Sequence, residues 1–133
     1  MMIYLQRTLR AQAVVWTLSG IAIIAVPHWV LVTLFKQVPY PDYAYVRVSG
    51  AVAIGFSMMA VLISRKVDEV WWWAWACVIT DAAVAAIAAL NALVGRLEGS
   101  GVLLWWLFAG VNVALAAGLL LGLGRAGQEK PFA

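Results

Sequence analysis

The hydrophobic pattern divides the chain into four long apolar segments separated by short polar joins. The segments run over residues 14–34, 48–64, 71–94 and 102–123. A helix needs about 20 mostly apolar residues to cross the hydrocarbon layer of a membrane, within a range of about 17 to 25. The segments are apolar all round and rich in Ala and Leu, whereas strands that cross a membrane alternate polar and apolar residues. The pattern therefore predicts an all-α integral membrane protein with four spanning helices.

The joins predict how these helices are connected. Residues 35–47 contain two prolines, which block the continuation of a helix, and residues 65–70 and 95–101 are short polar turns. Consecutive helices joined so closely pack as antiparallel neighbours. We expect one transmembrane domain over residues 1–133, folded as an up-down-up-down four-helix bundle with short cytoplasmic termini. Residues 1–10 precede the first segment, either as a short amphipathic turn at the membrane interface or as a frayed end.

The distribution of Lys and Arg predicts the orientation in the membrane. With a cytoplasmic N-terminus, six basic residues fall on the cytoplasmic side and three on the outer side. The six are Arg7, Arg10, Arg65, Lys66, Arg125 and Lys130, and the three are Lys36, Arg47 and Arg96. Cytoplasmic loops of membrane proteins carry the excess of Lys and Arg. We therefore expect a multi-pass protein of the cell (inner) membrane with both termini in the cytoplasm.

The amino-acid composition agrees with a lipid environment. Hydrophobic residues make up 65% of the chain and charged residues 11%, against about 45–50% and 25% in soluble globular domains. So few polar groups cannot cover the surface of a water-soluble domain of this size. The net charge of +3 does not indicate nucleic acid as a partner, because the basic residues form short clusters without a basic stripe or interleaved aromatic residues.

Asp81 is the most informative polar residue, because it lies near the middle of the third segment. An acidic side chain at the centre of a membrane costs about 2.5–3.5 kcal/mol on insertion scales, so it normally faces the bundle interior and has a partner. Asn112 and Ser57 are expected at a similar depth in the fourth and second segments. We predict an intramembrane polar site of Asp81, Asn112 and Ser57. Two interpretations remain open: interhelical hydrogen bonds that hold the helices together, or a site that relays protons or binds a ligand.

A second polar site is predicted nearer the outer face, from His28, Arg47 and Asn91. Imidazole groups ligate haem and metals, but the chain has a single His, which excludes a haem held by two His of this chain and a His-rich metal site. Hydrogen bonding at the interface is the simpler interpretation for His28. Arg47 has two possible positions, one at the lipid headgroups and one that reaches inward toward Asp81.

Small residues predict a face for close helix packing. Gly110, Ala114 and Gly118 recur every four residues in the fourth segment, a spacing that lets helix backbones approach closely. This face serves either the bundle itself or an interface with a second copy or another membrane protein. Cys77, the one cysteine of the sequence, lies in an apolar stretch, so we expect a packed and unreactive thiol.

The sequence contains no motif that indicates a catalytic or metal site. It lacks a phosphate-binding loop, a nucleophile elbow, a zinc-protease motif and a paired-cysteine motif. Asp81 is the one carboxylate expected near the midplane, so a mechanism that needs two carboxylates within the bundle is unavailable. We predict no catalytic residue, no metal and no resident cofactor, and a quinone or a lipid remains open as a bound small molecule.

Three short features carry a resemblance to a known family. They are Gly20 and Pro27 in the first segment, the stretch 47–50 (RVSG) that opens the second, and Arg65-Lys66 at its end. With these features the chain resembles small four-helix bacterial membrane proteins of the DoxX-like type, over nearly its whole length in the number, length and order of helices. Some DoxX-like proteins are accessory subunits of quinone-linked sulfur oxidoreductases. The resemblance implies an accessory membrane subunit more than a catalyst.

Three functions therefore remain open from the sequence. The first is a non-enzymatic accessory subunit or binding protein of a membrane complex. The second is a small transporter or channel that works as an oligomer and uses Asp81 as its proton- or cation-responsive group. The third is a quinone- or lipid-linked redox accessory role, in which His28, Arg47 and the Trp105-Trp106 pair surround a headgroup on the outer side.

Overall fold

The structure, a computed structural model, describes residues 2–95 and 99–130. These residues are mainly helical and contain no β-strand. The helices are α1 (Ile3–Ala25), α2 (Ala44–Arg65), the short α3 (Val67–Val70), α4 (Ala74–Val94) and α5 (Ser100–Glu129). A π-helical segment, Trp29–Leu34, follows α1, and a 3₁₀ turn, Trp71–Trp73, connects α3 to α4. The all-α class predicted from the sequence is confirmed.

Four helical spans in the described residues are long and apolar enough to cross a membrane. They are Ile3–Ala25, Ala44–Arg65, Val67–Val94 and Ser100–Glu129. Even the span of 22 residues is about 33 Å long, whereas the hydrocarbon layer is about 30 Å thick. Large apolar side chains on these spans are exposed, among them Leu18 at 64% and Ile79 at 67%. An apolar surface of this extent is typical of a protein surrounded by lipid or by partners.

Helix α1 begins and ends earlier than the apolar pattern predicts. It starts at Ile3 and ends at Ala25, so residues 3–10 form its first turns and are not a frayed end. Its end has a local cause, because proline disfavours the helical conformation of the residue before it. Val26, which precedes Pro27, has φ −135° and ψ 56°. The other three helical spans cover their predicted segments and extend beyond them.

The long helices associate as two pairs. α1 packs mainly against α2, and α4 mainly against α5, while α1 also contacts α5. Near the start of α1, Gln6 Nε2 donates a hydrogen bond to Ser64 O at 2.7 Å. Near its end, Gly20 lies against Gly50. Residues near the start of α1 therefore contact the end of α2, and residues near the end of α1 contact the start of α2, so the two helices run in opposite directions.

The contact between Gly20 and Gly50 brings two helix backbones together. A Cβ atom on Gly20 would lie 2.7 Å from Gly50 O, and a Cβ atom on Gly50 would lie 2.8 Å from Gly20 O. Both distances are shorter than the 3.0 Å limit that real Cβ contacts observe. Only glycine fits at these two positions without moving the helices apart.

The best-packed apolar core lies at one end of the bundle, where the start of α1, the ends of α2 and α5, and the start of α4 meet. Leu5, Ile63 and Leu119 are among its buried side chains. At the other end, Phe35 packs on Trp105 of α5, with ring centroids 4.7 Å apart. The two ends are therefore held by different contacts, and the candidate polar site lies between them.

The join between α1 and α2 is held against the start of α5. A Cβ atom on Gly101 of α5 would lie 2.7 Å from Phe35 O, which shows how closely the two backbones approach. The next residue, Lys36, has a φ of 55°, a left-handed conformation that costs a residue with a side chain about 1–2 kcal/mol. The contact with α5 fixes this join in a conformation that its sequence does not favour.

Candidate functional site

A hydrogen bond between α1 and α4 forms the centre of the candidate site. Gln12 Nε2 donates to Asp81 Oδ1 at 3.1 Å. Both side chains are buried, with exposures of 3% for Gln12 and 0% for Asp81. The bond connects residues 69 positions apart, so it links the α1–α2 pair of helices to the α4–α5 pair.

Helical periodicity brings both polar residues to the core side of their helices. On α1, Leu5, Leu9 and Gln12 are all buried, and residues at this spacing share one face of a helix. On α4, Cys77 and Asp81 are buried and are separated by about one turn. Gln12 and Asp81 therefore occupy positions where an apolar residue would be expected, and neither can turn outward without moving its neighbours.

Two oxygen atoms of this pair have no hydrogen-bond partner in the described part of the chain. They are Gln12 Oε1 and Asp81 Oδ2, and both are buried. An amide oxygen and an ionised carboxylate oxygen can only accept hydrogen bonds, and a buried acceptor left unpaired costs about 1–3 kcal/mol. One proton on Asp81 Oδ2 would convert that atom into a donor. The arrangement can therefore hold a proton within an acid–amide pair.

Trp16 completes the immediate surroundings of Asp81 on the α1 side. Its indole N–H is placed toward the carboxyl group as a second potential donor, one turn beyond Gln12 on the same face of the helix. The Trp16 ring also packs against Phe56 of α2, with centroids 6.1 Å apart. The acidic group is thus enclosed by an amide and an aromatic ring, and it is not open to water in this conformation.

Ser57 and Asn112, which the sequence predicts as partners of Asp81, are buried but bond within their own helices. Ser57 Oγ donates to Ala53 O at 2.9 Å, and Asn112 Nδ2 donates to Phe108 O at 2.9 Å. Asn112 Oδ1 is buried and has no partner among the described residues. The hydrogen bond that reaches Asp81 comes from Gln12 and not from either of these residues.

Gln12 is the site residue that the sequence reasoning missed. The apolar pattern starts the first helix at residue 14 and so leaves Gln12 outside the membrane. The signal that identifies it is its spacing from Leu5 and Leu9 on one helix face, which has meaning only if the helix begins near Ile3. A polar residue that shares a helix face with buried apolar residues indicates a buried polar contact.

The three residues predicted for the outer site have different surroundings. His28 is exposed, and its ring meets the edge of Tyr43 with centroids 5.8 Å apart. Arg47 is exposed in the first turn of α2, and Asn91 is half-buried near the end of α4. Since Asp81 is fully buried and already bonded to Gln12, these positions favour the headgroup interpretation of Arg47.

Gly110, Ala114 and Gly118 lie along α5 but do not share one packing surface. A Cβ atom on Gly118 would lie 3.0 Å from Thr8 Cγ2 of α1, whereas a Cβ atom on Gly110 would meet nothing within 4 Å. Ala114 is exposed. A step of eight residues turns a helix by about 80° beyond two full turns, so this spacing drifts around the helix. Gly118 therefore packs inside the bundle, and Gly110 faces outward.

Gly110 lines a groove between α4 and α5 on the side of the bundle. The groove has a volume of about 630 Å³ and predominantly apolar walls, most of them formed by small residues. They include Ala82, Ala86, Ala89, Gly110 and Ala117, with Trp106 as the largest side chain. Such walls suit an apolar occupant that approaches closely.

The remaining chemistry of the described residues is limited. No group of three His, Cys, Asp or Glu side chains in this part of the chain is placed to hold a metal ion. Comparisons of the chain with protein-family models, curated proteins and solved structures found no match. The resemblance to DoxX-like proteins therefore rests on the sequence features alone.

Proposed function

We propose that the chain is a multi-pass protein of the cell membrane whose four helical spans cross the bilayer in an up-down-up-down order. Two observations support this order: α1 and α2 run in opposite directions, and the joins between consecutive helices are short. The exposed apolar side chains on the spans support a lipid environment. The excess of Lys and Arg near the start of α1 and the end of α5 supports a cytoplasmic location for both ends. Arg96 lies outside the described residues, so its assignment to the outer side rests on the sequence.

Within the membrane, the proposed role is that of a non-enzymatic accessory or binding subunit that packs against a helix of another membrane protein. The groove between α4 and α5 carries this proposal, because no described residue fills it and its walls are predominantly apolar. Small residues let helix backbones approach closely, which is how helices associate in lipid. The DoxX-like resemblance points to the same kind of role.

The dimensions of the groove fit a helix. Its lining spans residues 82–89 of α4 and 106–120 of α5. The α5 stretch corresponds to about 21 Å, or about four helical turns. A soluble peptide is a poorer occupant, because its backbone and side chains would find no polar partner on these walls.

A photo-crosslinking amino acid at Gly110 tests this assignment, with the same amino acid at Gly124 as the matched control. Both glycines lie on α5 and have no atom within 4 Å of an added Cβ, but only Gly110 lines the groove. In intact membranes we expect a discrete protein adduct from Gly110 and none from Gly124. Gly110→Leu should abolish recovery of the same partner, whereas Gly124→Leu should not. An adduct of twice the chain mass would identify a second copy instead, and adducts with lipid alone would contradict the proposal.

A second candidate function is proton transfer through Asp81, favoured by the unpaired oxygen atoms of the Gln12–Asp81 pair. Asp81→Asn keeps an oxygen acceptor for Gln12 but cannot take up a proton. If the chain carries a pH-dependent flux, this variant should lose the flux in proteoliposomes without losing its helical content, while Ser57→Ala should retain it. A wild-type protein that carries no such flux, or an Asp81→Asn protein that retains it, would exclude this function.

A further inference from the structure

We infer that the protein binds one anionic phospholipid of the cytoplasmic leaflet in a second groove, which lies between α1 and α2. This inference rests on the membrane location and orientation proposed above. The groove has a volume of about 550 Å³, and its walls include Arg10, Val14 and Leu18 of α1 and Val61 and Arg65 of α2. Its surface is mostly apolar, with two arginines as the cationic groups.

The two arginines lie at the same end of this groove. Gln6 bonds to Ser64 O, so the end of α2 lies beside the first turns of α1, which places Arg65 near the level of Gln6, about one helical turn from Arg10. From Arg10 the groove continues along one face of α1 past Val14 to Leu18, a distance of about 12 Å. The site is therefore cationic at one end and apolar along its length, which is the arrangement of a phosphate followed by an acyl chain.

The two arginines are also available for a ligand. Two acidic residues at this end of the bundle are paired with lysines, because Glu69 lies 3.6 Å from Lys66 and Asp68 lies 3.4 Å from Lys130. Glu129, at the end of α5, lines a different groove with Arg7 and Arg125. Among the described residues, Arg10 and Arg65 form no ion pair, and both are exposed. A guanidinium group binds phosphate oxygens with two parallel hydrogen bonds, so this pair matches a phosphodiester.

The apolar wall selects a lipid over a free anion. Leu18 is 64% exposed and Val14 is 59% exposed, although both lie in the groove, so an acyl chain would cover side chains that the bundle leaves uncovered. Basic pockets between spanning helices on the cytoplasmic side are known to hold anionic headgroups. Inorganic phosphate would satisfy the arginines but would leave this wall as it is.

Native mass spectrometry of the full chain in mild detergent tests the site, with phosphatidylglycerol and phosphatidylcholine of identical acyl chains as probes. The wild-type protein should retain one phosphatidylglycerol per chain in preference to phosphatidylcholine. Arg10→Gln with Arg65→Gln should weaken phosphatidylglycerol binding about 30-fold. The matched control, Lys36→Gln with Lys130→Gln, removes the same charge from residues that do not line this groove and should leave this binding unchanged.

A third variant separates the groove from the charge. Val14→Trp fills the apolar wall without changing a charge, and it should also displace the lipid. Four results would each overturn the inference. The wild-type protein could bind both lipids equally, or the two double variants could lose phosphatidylglycerol binding equally. Val14→Trp could bind phosphatidylglycerol fully, or inorganic phosphate could displace the lipid. A chain that stays in the membrane fraction without lipid preference refutes this site alone, whereas a chain that is monomeric in buffer without detergent refutes the proposed membrane location itself.

Discussion

Replacing Gly20 by Ala tests whether direct contact between two helix backbones holds α1 against α2. The new Cβ atom would lie 2.7 Å from Gly50 O and 2.9 Å from Ile54 Cγ1, whereas ordinary van der Waals contact begins at 3.4 Å. The helices must therefore separate locally by about 0.7 Å, and a gap of that size loses about a quarter to a half of the dispersion attraction between facing atoms.

The magnitude follows from two opposing effects. Overpacking of a well-packed contact costs about 1–3 kcal/mol, while Ala is favoured over Gly within a helix by about 0.5–1 kcal/mol. Gly124→Ala is the matched control, because it gains the same helix preference but meets no atom within 4 Å. The difference between the two variants isolates the steric effect, and we expect Gly20→Ala to be less stable than Gly124→Ala by about 1–3 kcal/mol.

Unfolding in mixed micelles with increasing SDS, followed by circular dichroism and tryptophan fluorescence, measures this difference. Gly50→Ala should behave like Gly20→Ala, because its Cβ atom would lie 2.8 Å from Gly20 O. The double variant should lose less than the sum of the two single losses, since one separation of the helices relieves both clashes. Equal stability of Gly20→Ala and Gly124→Ala, or strict additivity of Gly20→Ala and Gly50→Ala, would refute this reasoning.

Three further outcomes are expected. Gln12→Leu removes the hydrogen-bond donor to the buried Asp81 carboxyl group and should lower the free energy of unfolding by about 1–3 kcal/mol. Asp81→Asn keeps an oxygen acceptor for Gln12 and should lower it less. The opposite ranking in the SDS titration would contradict the assigned hydrogen bond. Lys36→Gly should be more stable than Lys36→Val by about 1–2 kcal/mol, because only glycine adopts a left-handed conformation freely, and equal stability would show that this join does not hold its φ. Cys77 is 0% exposed, so maleimide should modify it far more slowly than a cysteine placed at Asp42, which is exposed in the join between α1 and α2, in a Cys77→Ser protein. The difference should disappear when SDS unfolds the bundle, and equal rates before unfolding would place the thiol at the surface.

Much of the fold can be read from the sequence because the deciding property is local. The length and apolar character of a stretch determine whether it can cross a membrane as a helix, and the segments predicted at 48–64, 71–94 and 102–123 lie within the observed helical spans. The bounds predicted for the first segment were wrong, because hydropathy alone does not show where a helix begins and ends. Polar residues before residue 14 moved the predicted start of the first segment too late in the chain. Pro27 ends the helix before the apolar run ends.

The candidate site could be predicted only in part. The cost of placing a carboxyl group in lipid already implies a buried position for Asp81. Its partner could not be inferred by depth. Ser57 and Asn112 lie in correctly placed segments but bond within their own helices, and the misplaced start of the first helix omitted Gln12. Which side chains meet also depends on how each helix is rotated about its axis, and one residue changes that direction by about 100°.

The sequence by itself determined the helical class, the four apolar segments and the presence of one acidic residue, Asp81, within those segments, since each of these depends on residues close together in the chain. Only the tertiary structure decided that Gln12 bonds to Asp81, that Gly20 meets Gly50, and that Gly110 faces outward while Gly118 packs inside. These contacts depend on the register and rotation of helices relative to one another, and packing of the whole bundle sets both.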